Sequence, residues 1–211
     1  MKALLINGSP RPHGCTYTAL TELKKTLESE GIEVELIHVG NKDIRGCIAC
    51  RKCHETGKCV FDDIVNEVAP KLAAADAFVI GAPVYFSSPA GGAISYEVST
   101  DHGATWTAIQ ENHDVKFDTP QHQVAVRVHL KGTGTVLNKY FTMTGMPVAS
   151  SQYWNMVYGG SAEEVQKDAE GLQTMRTLGR NMAFMMKSIQ LGKAQFGLPQ
   201  KEPATFTNFH H

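Results

Sequence analysis

Residues Ala3 to Asn7 form a short apolar run that ends in Gly8 and Ser9, the pattern of a buried parallel strand rather than an alternating surface strand. From Thr16 to Glu30 apolar residues recur at Leu20, Leu23 and Leu27, one stripe of a helix, and Gly31 supplies its stop. Glu33 to Val39 reads as a second strand, Asp62 to Leu72 as a helix entered through Asp62, and Phe78 to Gly81 as a third strand. Strands alternating with helices at this pitch predict βαβ units, a parallel sheet and right-handed crossovers, an α/β doubly wound fold. Further on, Pro147 to Trp154 suggests the last parallel strand. Ser161 to Ile189 reads as one long helix, capped by Ser161 with Glu164 three residues on.

Between these halves the texture changes. Ile94, Tyr96 and Val98 alternate with polar residues, and so do Val124, Val126, Val128 and Leu130, the pattern of an antiparallel meander. The break runs from about Gly92 to Gly134, and no fixed-period repeat or low-complexity segment accompanies it.

With 211 residues and 42% hydrophobic content, one full α/β core is the expectation. Twenty basic against twenty-one acidic residues, with no long block of one sign, argue against nucleic acid as a partner. The start MKALLINGSP is too short an apolar run for a signal peptide or a spanning helix, so no membrane association and a cytoplasmic location are expected. His210 and His211 resemble the stub of a tag and carry no argument.

The run GSPRPHGCT, Gly8 to Thr16, joins the first strand to the first helix, where backbone N–H groups and the positive helix end favour an anion. Ser9 and Thr16 offer hydroxyl donors, Arg11 a guanidinium, and Gly14 a close backbone approach. No GKS or GKT follows and no GxGxxG is present, so a mononucleotide with a terminal phosphate fits better than a Walker or dinucleotide site.

GSPRPHGCT, together with GAPVYFSSP at Gly81 to Pro89 and the cysteine-rich stretch between them, resembles flavodoxin-like NAD(P)H-dependent FMN reductases and iron-sulfur flavoproteins. The resemblance covers about Met1 to Ala90 and resumes near Leu137. It implies a flavodoxin-like three-layer αβα fold in which Ser9, Arg11, Gly14, Cys15 and Thr16 take the FMN phosphate. It also implies that Pro83, Val84, Tyr85, Phe86 and Ser87 form the flavin wall. Where the family often has Asn, this chain has Cys15, which keeps the backbone donor and removes a polar side chain. Tyr153 and Trp154, at the end of the last expected strand, suit either a border of the flavin or acceptor pocket or an aromatic core.

Cys47, Cys50, Cys53 and Cys59 are separated by two, two and five residues, dense enough to converge on one centre. The spacing resembles the motif of iron-sulfur flavoproteins and so implies a 4Fe–4S cluster that passes electrons to FMN. Zinc held by four thiolates, or a metal-free structural loop, fits the residues as well.

Ser99 to Trp106, STDHGATW, matches the Asp-box pattern of β-hairpins, and a single copy excludes a propeller. In the resembled family this region carries a crossover helix, then a fourth strand. Here an antiparallel β excursion replaces the helix, Gln123 to Leu130 is the candidate fourth strand, and the segment 92–134 looks foreign, as in a chimera. The expected organisation is a domain over 1–199 interrupted at 92–134, with an extended tail from 200. The implied activity is hydride transfer from NADH or NADPH to FMN and onward to a small-molecule or protein acceptor, in a homo-oligomer, dimer or tetramer. The competing expectation is a scaffold whose β segment is a non-catalytic binding surface.

Overall fold

The computed structural model describes residues 1–85, 88–89, 94–99, 107–109, 125–130, 141–142, 144–200, 202–203 and 205. The strands are β1 (Lys2–Asn7), β2 (Glu33–His38), β3 (Ala77–Gly81), β4 (Val84–Tyr85), β5 (Ser88–Pro89), β6 (Ile94–Ser99), β7 (Thr107–Ile109) and β8 (Ala125–Leu130). The helices are α1 (Cys15–Ser29), α2 (Lys52–Thr56), α3 (Val65–Ala74), α4 (Ala162–Val165) and α5 (Ala169–Phe196).

β1 lies between β2 and β3 and pairs with both in parallel, so the α/β expectation holds. The register places Ala3, Leu5 and Asn7 in cross-strand rows with Val34, Leu36 and His38 and with Ala77, Val79 and Gly81. Because side chains alternate across a sheet, these rows share one face, and α1 and α5 cover it. Leu20, Leu23 and Leu27, the predicted stripe of α1, are no more than 3% exposed. They meet Leu178, Met182, Ala183 and Met186 of α5 over Ala3 and Leu5. Each large side chain buried here contributes about 1.5–3 kcal/mol.

α1 ends where the sequence put its stop. Gly31 takes φ 79°, which permits Gly31 N–H to donate to Glu28 O at 3.0 Å and Ile32 N–H to Leu27 O at 3.0 Å. Ile32, 2% exposed, then tucks beneath Leu27 and the chain enters β2.

α1 and α5 run side by side in the same direction. Gly179 sits so near Thr26 and Leu23 that a Cβ would come within 2.9 Å of Thr26 and 3.2 Å of Leu23. Arg176 Nη1 donates to Glu22 Oε1 at 2.6 Å and Lys187 Nζ to Glu30 at 2.9 Å, one ion pair on each side of that contact. Past Met186 no further residue of α5 is buried.

The opposite face carries Lys2, Leu4 and Ile6 with Glu35, Ile37, Phe78 and Ile80. α3 lies on this side, completing three layers, and Lys71 reaches Glu35 at 2.9 Å while Lys2 reaches it at 2.8 Å. The Glu35 carboxyl is held below its usual range, first by the hydrogen bond from Lys2 and then by that from Lys71.

β6 pairs antiparallel with β7 and with β8, so an antiparallel sheet stands where the change of texture fell. The candidate fourth parallel strand, Gln123 to Leu130, is corrected by this: its described part, β8, pairs with β6 rather than joining β1 to β3. Residues 100–106 of the Asp box lie outside the described residues.

Three other expectations shift. Pro147 to Trp154 forms no strand, because side chains take its backbone groups, as where Asn181 Nδ2 donates to Ser150 O at 2.7 Å. The long final helix is broken: Ser161 Oγ accepts Glu164 N–H at 3.3 Å as expected, but Asp168 then caps a second helix by accepting Gly171 N–H at 3.0 Å. α3 is entered at Asp63, whose Oδ1 accepts Val65 N–H at 2.9 Å, rather than at Asp62. No described helix is long and apolar enough to cross a membrane.

Two tests follow from the packing and the charges. Leu23→Ala is expected to cost about 2–5 kcal/mol in urea unfolding, whereas Phe184→Ala, on the exposed face of α5, should stay within about 0.5 kcal/mol. A carboxyl whose pKa is depressed in the folded state adds stability at neutral pH that is lost as pH falls through the carboxylate range. Glu35→Gln should therefore flatten the decline of the urea midpoint between neutral and acid pH, and equal slopes would show that the Lys2–Glu35–Lys71 network contributes none of it.

Candidate anion-binding site

The last row of the sheet on the α1 face is Asn7, His38 and Gly81, and each of these three holds the loop that follows β1. The Asn7 side chain, fully buried, accepts Ser9 N–H at 3.0 Å on Oδ1 and donates from Nδ2 to Pro12 O at 3.2 Å. His38 Nε2 lies 2.7 Å from Ser9 O. A carbonyl oxygen only accepts, so Nε2 carries the proton. Gly8 N–H donates to Gly81 O at 2.8 Å, tying the loop to β3.

Glycine makes this closeness affordable at Gly40. A Cβ there would collide with the Ser9 and Gly8 carbonyls, while the Gly40 and Val39 N–H groups both donate to Asn7 O. Gly81 is confined on its other side by Leu20 and Thr16, each 2.9 Å from where its Cβ would stand.

The outcome is a loop with its carbonyls turned inward. Ser9 O faces His38, Pro12 O faces Asn7, and Arg11 O accepts Gly14 N–H at 3.4 Å. At the front, α1 begins at Cys15 with Gly14 as its N-cap and no side chain capping it. Among the described residues none accepts the N–H of Cys15, Thr16 or Tyr17, the first-turn donors. These donors and the positive end of a 15-residue helix point one way, a site for an anion.

The structure places the predicted residues unevenly. Ser9 is 5% exposed and its Oγ accepts Arg11 N–H at 3.2 Å, so it braces the loop from within. Arg11 is exposed, and Gly14, Cys15 and Thr16 are half-buried around the helix start. Cys15 Sγ donates to Gly159 O at 3.2 Å, linking the loop to the chain's second half. Pro83 is half-buried and Val84 exposed just past β3, where β4 turns back against β5. Tyr85 lies in β4, while Phe86 and Ser87 lie outside the described residues.

Asn7, His38 and Gly40 are contributions that reading the sequence missed. The one local signal was a polar residue closing an apolar strand directly before glycine.

The four clustered cysteines are not brought together. Among the described residues no group of three His, Cys, Asp or Glu side chains could hold a metal ion, and every described cysteine is free. Ala49 and Arg51 adopt left-handed φ of 54° and 58° on either side of Cys50, and Cys53 rides on α2. Cys59 is fixed elsewhere by Asn66, which accepts its N–H at 2.7 Å and donates to its carbonyl at 3.2 Å. The expected quartet Cys47, Cys50, Cys53 and Cys59 is thus not gathered around one point in this arrangement.

Free backbone donors at the carboxyl end of the first strand of an α/β domain are suited to a phosphate. The family model described as NADPH-dependent FMN reductase matches residues 1–95 of the chain. The whole length of an iron-sulfur flavoprotein of Methanocaldococcus jannaschii aligns at 28% identity over 90% of this chain. An iron-sulfur flavoprotein of Archaeoglobus fulgidus is 38% identical over 41% of this chain and 39% of its own length. One from Methanosarcina thermophila is 31% identical over 42% of this chain and 46% of its own. A crystal structure of RosB with a bound 8-demethyl-8-formylriboflavin-5'-phosphate intermediate superposes with a TM-score of 0.54 at 16% identity, covering 100% of this chain and 92% of RosB. That likeness establishes the flavodoxin-like fold.

Asn7→Ala leaves the buried Ser9 N–H without a partner and frees Pro12 O, and is expected to cost about 1–3 kcal/mol. Urea unfolding measures it; a change below about 0.5 kcal/mol, the level of an ordinary surface substitution, would mean that the loop does not depend on Asn7.

Proposed function

We propose that this chain is an FMN-dependent oxidoreductase that takes hydride from NADH or NADPH and delivers electrons to a small-molecule or protein acceptor. The observation that carries the reading is the uncapped start of α1 beneath a loop whose carbonyls are turned away, a cradle suited to a dianionic phosphate. The family match and the iron-sulfur flavoprotein relatives support FMN as the owner of that phosphate.

In this reading Cys15, Thr16 and Tyr17 donate backbone N–H groups to the phosphate, and Thr16 adds its hydroxyl. Arg11, exposed at the rim, closes over it with a charge-assisted hydrogen bond. Ser9 and Gly14 shape the cradle. Pro83, Val84, Tyr85, Phe86 and Ser87 are assigned to the flavin wall, beyond the carboxyl end of β3. FMN, when bound, supplies a ring that accepts a hydride and releases electrons singly or in pairs. The protein's share is to bind, orient and exclude water, and no side chain need act as acid or base. Cys47, Cys50, Cys53 and Cys59 would hold a 4Fe–4S cluster that supplies single electrons to FMN, a reading supported by the iron-sulfur flavoprotein relatives and requiring the four thiols to be drawn together.

The test is the absorbance spectrum of protein purified without oxygen, recorded before and after FMN and then NADPH. Bound-flavin bands that bleach with NADPH are expected, and a protein that leaves added FMN unbound would overturn the assignment. Arg11→Ala removes an exposed charged donor worth about 1.5–3 kcal/mol, so FMN should bind roughly 10- to 100-fold more weakly.

A further inference from the structure

Besides Phe184 and Phe196 on α5, three exposed aromatic rings, Tyr153, Trp154 and Tyr158, are gathered on one irregular segment that hydrogen bonds hold in place. Trp154 is 71% exposed, Tyr153 58% and Tyr158 60%. The rings of Tyr153 and Trp154 are stacked, with centroids 5.7 Å apart and planes inclined by 23°. Leaving such a side chain in water forgoes about 1.5–3 kcal/mol of burial. That loss is incurred at two adjacent residues with no strand or helix to dictate their placement.

Hydrogen bonds hold the segment instead. Ser151 Oγ donates to Tyr153 O at 2.8 Å and accepts Tyr153 N–H at 3.3 Å, and Met156 N–H donates to Trp154 O at 2.8 Å. The flanks are tied to α5: Gln152 Nε2 donates to Thr174 Oγ1 at 3.3 Å, and Tyr158 N–H to Asp168 Oδ2 at 2.7 Å. The far end touches the anion cradle, where Cys15 Sγ donates to Gly159 O at 3.2 Å. Trp154 is five residues before Gly159, so its backbone lies within about 18 Å of that contact.

A braced, largely exposed ring pair on the segment that reaches the anion cradle at Gly159 is a surface for stacking. Indole is electron-rich, and its offset-stacked partners are flat electron-poor rings. We propose that Trp154, backed by Tyr153, is the stacking platform for the electron-poor ring of the flavin's redox partner, either the nicotinamide of the donor or a quinone acceptor. The inference rests on the flavin reading above. Trp154 binds and orients; it exchanges no electrons.

The experiment uses FMN-loaded protein and the variants Trp154→Ala and Trp154→Phe. KM is measured for NADPH, for NADH and for menadione, with ferricyanide as an acceptor that offers no flat ring. Trp154→Ala should raise KM for the nucleotides or for menadione at least tenfold and change kcat less than threefold. Trp154→Phe should recover most of the loss, and the FMN Kd and the ferricyanide KM should stay within twofold of wild type. A rise for menadione assigns the platform to the acceptor, and a rise for the nucleotides assigns it to the donor. KM values within twofold for all three would overturn the proposal. Should the protein fail to bind FMN, the flavin reading falls, and the platform is tested alone by quenching of Trp154 fluorescence in a Trp106→Phe background. Saturable quenching by 1-methylnicotinamide or menadione supports stacking, and strictly linear quenching overturns it.

Discussion

The close approach of α1 and α5 at Gly179 governs the architecture. With no side chain at that position, Thr26 and Leu23 lie directly against α5, and the helix pair closes over Ala3 and Leu5 as one apolar layer. α1 is thus clamped along the stripe Leu20, Leu23 and Leu27. Its free end, Gly14 to Tyr17, is carried by that clamp to the carboxyl edge of β1. Burial on one side of the helix is how the protein positions charge at its tip.

The cradle is the second half of the same design. Asn7, His38 and Gly81 close three neighbouring strands in one row, and all three bind the loop from below. The sheet therefore does more than support the loop: its terminal row selects which backbone groups face outward. Donors are left at the helix start because acceptors have been engaged at the rear. An anion site made this way needs few charged side chains, and Arg11 is the one cation within the Gly8 to Thr16 loop itself.

Much of this was legible in the chain, and the boundary of legibility has physical causes. β1, α1, β2 and β3 were readable to within about a residue because their apolar periods report local geometry. GSPRPHGCT was readable because its chemistry is contiguous. Asn7, His38 and Gly40 were not, since what they do depends on contacts across the sheet, as with His38 and Ser9, which are 29 residues apart. Pro147 to Trp154 has the apolar content of a strand, yet a strand exists only with a neighbour to pair with, and here Asn181 of α5 takes the Ser150 carbonyl while Ser151 takes the backbone of Tyr153. The split between α4 and α5 turned on Asp168, whose carboxylate serves equally well inside a helix surface or as a cap. The cysteine spacing was dense enough for convergence, but left-handed turns at Ala49 and Arg51 and the grip of Asn66 on Cys59 are invisible to spacing.

The core cluster is drawn from two stretches far apart in the chain: Ala3 to Ile32, and Leu178 to Met186. Among the described residues, those between them supply β2, β3 and partly buried neighbours such as Val79 and Ala149, but none of the buried cluster members. The described core is therefore stapled by the chain's two flanks, with β2 and β3 completing the sheet between them. Strands of another character, the antiparallel β6, β7 and β8, are thus accommodated in the sequence between two flanks that close the core on each other.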